Sequence, residues 1–400
     1  MPSLHRRVFL QTSACAALGV ASRSAWAAAT HPPGALRPPS KEFLATLPHL
    51  MELAQLPGLG IGVVEGGETT WQHYAGVANL TAKTTITAES LFPAASMGKE
   101  VFVYGVLVLA QQGKIDLDKP LKEYLSDGAP TGKWSEKITA RHVLSHSSGL
   151  LNWRWEKDQE LTPAFEPGTK FRYSGEGFYF LQRCLEHITG VGATAWTEEQ
   201  VLKPLGMKSS TYLWRPDAGT RIVTGHRGDQ PMDNTEFSRK LFAMMEAGGK
   251  PLSAWRHEEI TAAMVKDKPP GTVLLPNDIS PNVAFSLLTT VADYSAFLAQ
   301  VVSPRNQALS PALWAAIRTP VSRINSALGW GLGFGIEQEG RQPRYLWQWG
   351  DNGGWKNFFL AHPESESAIV VFSNGDKGMH IVERVVKSAS SAEQVAFLWL

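Results

Sequence analysis

Cysteine is nearly absent: the 400-residue chain has 2, Cys15 and Cys184. Removal of an N-terminal leader would take Cys15 away, so no disulfide within the mature chain is expected. Cys184 lies in the apolar helical stretch Phe180-Leu181-Gln182-Arg183-Cys184-Leu185 and reads as a core residue. Charge of one sign is lacking too. The formal net charge is +1, and no Lys/Arg block follows the first residues. Nucleic acid and anionic membrane are thereby excluded as expected partners. Long apolar runs are missing: Val101 to Ala110 is ten residues, too short to cross a bilayer. No cluster of His, Cys, Asp and Glu has metal-ligand spacing, so no metal is expected. Without a G-x-G-x-x-G or P-loop string, no nucleotide cofactor is expected. No internal repeat or low-complexity segment interrupts the chain.

What is present begins with a leader. Arg6-Arg7-Val8-Phe9-Leu10 opens a run of small and apolar residues, and Ala25-Trp26-Ala27 offers a small-x-small cleavage site. This is the three-part build of a secretory signal over residues 1–27, and the paired arginines resemble the twin-arginine type. The expected location is periplasmic or secreted. Cleavage there lowers Lys+Arg from 38 to 35 against 37 acids, a mature charge of 35 − 37 = −2. Four prolines between His31 and Ser40 make residues 28–40 a linker. Ser40 is placed to cap a helix beginning at Lys41.

Leu59 to Glu65 and Thr69 to Tyr74, joined by Gly66-Gly67, read as a β-hairpin. Residues 96–112 read as one buried helix stopped by Gly113. Thr139 is placed to cap 140–146, and 175–189 reads as an apolar helix ended by Gly190. Thr290-Val291-Ala292-Asp293 resembles a capping box opening the helix 294–301. Residues 215–285 give weak signals. Trp330–Ile336, Arg344–Trp349, Asn357–His362 and Ala368–Ser373 are strand-like, and the chain from about 378 on reads as helical. This order predicts an α+β fold, an antiparallel sheet assembled from both chain ends and flanked by helices. The α/β part covers about 41–110 and 285–400, and a mostly helical part, about 111–284, is inserted between.

Ser96-Met97-Gly98-Lys99 carries the sharpest chemical signal. Ser and Lys three apart on a helix share a face. Ser96 lies near a helix N-terminus, whose free N–H groups suit a developing oxyanion. A buried lysine one turn on accepts the serine proton once its pKa is lowered. Alone, the pair also suits a helix cap beside a solvated lysine, but the apolar helix that follows turns Lys99 inward. Phe165 to Gly175 contains a Pro167-Gly168 turn leading to Tyr173 at the mouth of the next helix. There a tyrosine either relays a proton or packs on the helix start. Trp347-Gln348-Trp349-Gly350-Asp351-Asn352-Gly353-Gly354-Trp355 offers a strand whose small residues admit substrate close to backbone N–H groups, with tryptophans lining an apolar pocket. The alternative is an aromatic sheet edge with a Gly-rich turn.

Together these strings resemble the family of class C β-lactamases, DD-peptidases, D-aminopeptidases and family VIII esterases. Phe92-Pro93-Ala94-Ala95-Ser96-Met97-Gly98-Lys99 resembles its nucleophile motif. Val143-Leu144-Ser145-His146-Ser147-Ser148-Gly149-Leu150 resembles its Leu-Leu-Ser-His-Thr-Ser-Gly-Leu segment. The Phe165–Phe178 stretch and Pro204-Leu205-Gly206-Met207 match further strings in family order. The resemblance implies a β-lactamase/DD-peptidase-like fold over residues 41–400, with Ser96 as acylated nucleophile, Lys99 as base and Tyr173 as proton relay. It places Trp349, Gly350 and Asp351 where β-lactamases have Lys-Thr-Gly, and implies an oxyanion hole made by the N–H groups of Ser96 and Asn352. No Lys-Thr-Gly occurs anywhere, and Gly175 replaces the asparagine of Tyr-x-Asn. His146 belongs to a segment that is structural in the family. The implied activity is a serine hydrolase working through an acyl-enzyme, an esterase on small esters or amides. D-amino-acid peptidase and class C-like β-lactamase are the alternatives, and a low-turnover peptidoglycan- or peptide-binding protein is the non-enzyme one. The partner is a small ester, amide or peptide substrate; oligomeric state stays open.

Overall fold

A computed structural model describes residues 32–400 apart from 233–234, 306–307, 339 and 341–343. The leader read in residues 1–27 lies outside the described residues. Of the segment read as a linker, 32–40 carries no regular element but is docked. Leu36 is fully buried, its N–H donates to Ser367 Oγ at 2.8 Å, and Arg37 N–H donates to Ala389 O.

The first helix, α1 (Lys41–Ala54), starts at Ser40, whose hydroxyl accepts the Phe43 N–H at 3.1 Å. Then comes a hairpin, β1 (Gly58–Glu65) and β2 (Glu68–Asn79), followed by the two-residue β3 (Thr84–Thr85). A turn of 3₁₀ helix at Ala95–Met97 feeds α2 (Gly98–Gln111). After a long stretch of short helices and loops come α3 (Gly175–Thr189) and α4 (Val291–Val302). The chain finishes with β4 (Ser322–Arg323), β5 (Leu328–Trp330), β6 (Gly335–Glu337), β7 (Tyr345–Asp351), β8 (Lys356–His362), β9 (Ser367–Ser373) and α5 (Gly378–Ser390).

One nine-stranded sheet takes all of these strands in the order β3-β2-β1-β9-β8-β7-β6-β5-β4. Its pairings are antiparallel, and its centre joins the two ends of the chain, with Leu59 opposite Ser373 and Val64 opposite Ala368. Both edges are two-residue strands, which leave little open ladder for another chain. On one face Leu59, Ile61, Val63, Ile369 and Val371 pack with Leu47 and Met51 of α1 and Ile381, Val382 and Val385 of α5. On the other, Phe359, Val370 and Phe372 pack with Val291, Tyr294 and Phe297 of α4 and with α2.

The alternating Gly58-Leu59-Gly60-Ile61-Gly62 explains the asymmetry of β1. The large residues face α1 and α5, while the glycines let α4 lie against the backbone. A Cβ on Gly60 would stand 2.7 Å from Val291 Cγ2, and one on Gly62 2.3 Å from Ser295 Oγ. Helix α2 is buried on every side from Gly98 to Leu109, the mark of a central helix.

Four local expectations change. The strand expected over 330–336 is two short strands around Gly331–Phe334, with Gly333 at φ 88°. The terminal helix stops at Ser391 (φ 55°), and a separate turn of helix follows at Ala396–Trp399. The helix expected from Ser96 is 3₁₀ in its first turn. Thr290 caps α4 by accepting the Asp293 N–H at 3.1 Å, but the Asp293 carboxylate does not close a capping box. It accepts instead from Ser209 N–H and Ser210 Oγ, each at 2.8 Å.

Candidate active site

Ser96 follows a strained residue. Ala95 has φ 52°, a left-handed conformation costly for a side chain with Cβ, so the surrounding fold must hold it. The tight turn leaves Ser96 half-buried at the head of the helix, where the first N–H groups have no partner inside the helix. One turn on, Lys99 is 1 % exposed. Its Nζ lies 3.0 Å from Ser96 Oγ and donates to Ala284 O at 2.7 Å. Burial lowers the Lys99 pKa to about 7, against an upward pull from Glu100. An amine poised there has a lone pair available near neutral pH, in contact with the serine hydroxyl.

Glu100 was invisible as a site residue in the sequence, because a glutamate after a lysine near a helix start reads as a solvated pair. It is fully buried, and neither carboxylate oxygen has a hydrogen-bond partner. Burial raises its pKa to about 8, with its own backbone N–H, then the Lys99 charge and the Gln348 amide, acting the other way.

Tyr173 stands at the mouth of α3, next to Ser174, whose hydroxyl caps that helix by accepting the Gly177 N–H at 2.9 Å. Lys99 Nζ is 5.1 Å from its ring centroid. Burial, reinforced by the Glu100 charge, pushes its phenol far above the usual range. Tyr173 is thus a neutral hydroxyl at working pH. Of the two, Lys99 is the group with a lone pair free near neutral pH. His146 explains how the tyrosine is held. The imidazole is buried and lies 4.1 Å from the Tyr173 ring, 5.2 Å from Phe178 and 5.1 Å from Trp330, centroid to centroid. Its Nδ1 accepts the Ser174 N–H at 3.1 Å, which leaves the proton on Nε2. Burial, then the Lys99 charge, drives its pKa well down, so it is a neutral packing group.

The third wall is β7. Alternate residues of a strand face opposite sides. Gln348 and Gly350 face the nucleophile: Gln348 Nε2 donates to Tyr173 Oη at 3.5 Å, and a Cβ on Gly350 would come within 2.3 Å of Ala94 O. Trp347 and Trp349 belong to the other side, their rings stacked 6.0 Å apart. The side chain beside the tyrosine hydroxyl is therefore Gln348, one residue earlier than the placement of Trp349 in the lysine position. Trp349 flanks the Tyr173 ring at 4.7 Å and meets Trp399 at 5.2 Å.

The ladder also shifts the oxyanion assignment. Asn352 N–H is already given to Trp355 O at 3.3 Å, and its side-chain amide donates to Phe285 O at 3.2 Å. Gly350 and Asn352 thus turn their backbone groups toward β8. Those of Trp349 and Asp351 turn to the opposite edge, which β6 leaves uncovered beyond Trp347. The Asp351 N–H is the group on the open side. Its carboxylate serves the turn, accepting Gly353 N–H at 2.8 Å and pairing with Lys356 at 2.6 Å.

The family model for beta-lactamase matches residues 43–388. The chain belongs to the beta-lactamase family. Among curated relatives, the D-alanyl-D-alanine-carboxypeptidase/endopeptidase AmpH of Escherichia coli K12 is 26 % identical over 208 residues, 47 % of this chain and 53 % of its own length. A D-aminopeptidase of Brucella anthropi is 28 % identical over 215 residues, 48 % of this chain and 39 % of its own. The chain thus spans about half or less of the length of these curated relatives. Among solved structures, a class C beta-lactamase superposes with a TM-score of 0.67 at 17 % identity, covering 87 % of this chain and 94 % of that one. The octameric penicillin-binding protein homologue from Pyrococcus abyssi gives 0.67 at 18 % identity, covering 89 % and 79 %. At such identities these structures establish the β-lactamase-like fold alone. Among the described residues no helix is long and apolar enough to cross a membrane, and no group of His, Cys, Asp and Glu is arranged to hold a metal.

Proposed function

We propose that this family member hydrolyses small esters or amides through an acyl-enzyme on Ser96, with esters preferred. The observation that carries the reading is the buried Lys99 amine 3.0 Å from the Ser96 hydroxyl, with a neutral tyrosine beside both. Lys99 takes the Ser96 proton as Oγ bonds to the substrate carbonyl carbon. The oxyanion is received by the N–H groups of Ser96 and Asp351. Lys99 returns the proton through Tyr173 Oη to the leaving oxygen or nitrogen, whose bond to the acyl carbon breaks. Water then attacks the acyl-serine by the same route in reverse, releasing the acid and restoring the hydroxyl. Gln348 holds the Tyr173 hydroxyl in line.

The preference for esters rests on the neutral amide of Gln348 beside Tyr173. A neutral amide gives a substrate carboxylate less than an ammonium does. D-amino-acid peptidase is the second reading, favoured by the names of the relatives. The leader read in residues 1–27 supports action outside the cytoplasm. The test is hydrolysis of p-nitrophenyl butyrate and nitrocefin by the purified protein, with Ser96→Ala as control and a fluorophosphonate probe for labelling. Ester cleavage that falls at least about a thousandfold in Ser96→Ala, with Ser96 labelled, is the expected result. Full ester activity in Ser96→Ala would sink the mechanism. Rapid nitrocefin turnover would move the assignment to β-lactamase.

A further inference from the structure

Gly175 lies two residues beyond Tyr173, and the space its side chain would fill is taken. A Cβ there would stand 2.2, 2.4 and 2.6 Å from Cζ2, Cη2 and Cε2 of Trp153. The indole thus lies flat against the start of α3, and only glycine admits it. Trp153 meets Phe285 edge to face, ring centroids 5.8 Å apart, and both rings are only half-buried. Phe285 directly follows Ala284, whose carbonyl accepts from Lys99. The pair therefore spans from the Tyr173 helix to the segment that seats the lysine.

The polar groups around this pair are already engaged. Asn152 Oδ1 accepts the Gly175 N–H at 2.9 Å. Arg154 pairs with the buried Glu176 at 3.0 Å, and its N–H donates to the same carboxylate at 2.9 Å. The Asn352 amide donates to Phe285 O. What the half-buried pair offers is ring carbon, with the Trp153 indole N–H as its one polar atom.

We infer that Trp153 and Phe285 form the acyl-binding wall of the site, selecting substrates whose acyl group is a plain alkyl or aryl chain over those with an amide next to the reacting carbonyl. This rests on Ser96 being the acylated nucleophile. Trp153 against Gly175 and Phe285 beside Ala284 put this wall next to both Tyr173 and Lys99, within reach of an acyl chain carried on Ser96. An acylamino group there would surrender its hydrogen bonds with water and find in the wall no acceptor for its N–H and a single indole donor for its carbonyl.

The test uses three esters with one leaving group: p-nitrophenyl acetate, p-nitrophenyl hexanoate and p-nitrophenyl N-acetylglycinate. The wild-type protein is expected to favour hexanoate over N-acetylglycinate in kcat/KM by at least about tenfold. Trp153→Ala lowers the hexanoate-to-acetate ratio by about tenfold, Trp153→Phe restores most of it, and Trp153→Ala with Gly175→Asn raises N-acetylglycinate relative to hexanoate. An unchanged hexanoate-to-acetate ratio in Trp153→Ala, with Ser96 still labelled by fluorophosphonate, overturns the wall while sparing the nucleophile. Should Trp153→Ala lose labelling through misfolding, Phe285→Leu carries the same comparison, and an unchanged ratio there overturns the wall equally. Wild-type protein that hydrolyses the esters without labelling at Ser96 overturns the underlying mechanism instead.

Discussion

Under the proposed mechanism, two adjacent buried ionisable residues, Lys99 and Glu100, govern the pH response of the site. Lys99 must be neutral to accept a proton, and its pKa near 7 places the change from inert ammonium to competent amine at neutrality. On the ester substrates kcat/KM should climb with pH through about 7 and then level. Glu100 acts on that limb from behind. Where its carboxyl ionises, above about pH 8, its negative charge raises the Lys99 pKa, so Glu100→Gln should shift the upper part of the limb to lower pH. A pH–rate profile of both proteins on p-nitrophenyl acetate reads this directly, and a limb that stays put in Glu100→Gln would deny Glu100 that influence. The sequence showed the Ser96–Lys99 spacing because a helix turn is a local fact. It could not show Glu100 as buried, since burial on every side of α2 is decided by packing partners far along the chain, Phe178, Trp196 and Tyr294 among them. The lysine-position assignment went astray by one residue for a related reason. In Trp347-Gln348-Trp349 the pattern alternates, but only the packing tells which set of side chains faces the nucleophile. Gly175 carried a signal in its sequence, a missing side chain beside a tyrosine, while the Trp153 ring that explains it comes from a loop with no regular pattern.

Among elements, the contact of β1 with α4 is the one most tightly specified. Two glycines on one strand face hold the helix at backbone distance, and any side chain there meets Val291. Gly60→Val and Gly62→Val should each destabilise the protein by about 2 kcal/mol through overpacking, read as a lower denaturant midpoint. No loss in either variant would mean that α4 moves away freely. The hairpin, α1, α3 and the C-terminal strands were legible because their periodicity and turn residues are local. The split strand around Gly331–Phe334 was not, since a short apolar run with interior glycines fits one strand or two. Residues 215–285 are harder to read: two helices, Thr235–Ala247 and His257–Val265, and the small ribbon 225–227 with 230–232 are separated by loops without a clear turn pattern.

At the scale of the whole molecule, the described chain is tied down at both ends. Leu36 is buried against the sheet, and the segment leading to Ala396–Trp399 is pinned by the buried Glu337, whose carboxylate accepts the Val395 and Ala396 N–H groups at 2.7 and 2.9 Å. This puts Trp399 against Trp347, Trp349 and Phe171. Glu337→Ala should cost about 2 kcal/mol and expose residues 391–400 to limited proteolysis. Unchanged resistance to protease would show that the aromatic contacts alone hold the segment. The central strand pair β1–β9 has a consequence for how the protein comes into being. Its partners are separated by some three hundred residues, from Leu59 to Ser373. On the ribosome β1 therefore waits, its inner edge unsatisfied, until the chain has been made past Ser373. Ser96 and Lys99 emerge early as a local pair, yet Tyr173, Ala284 and Gln348 join them only later. Reactivity of the serine toward a covalent probe is then a clock for maturation, starting when the last strand locks into the middle of the sheet.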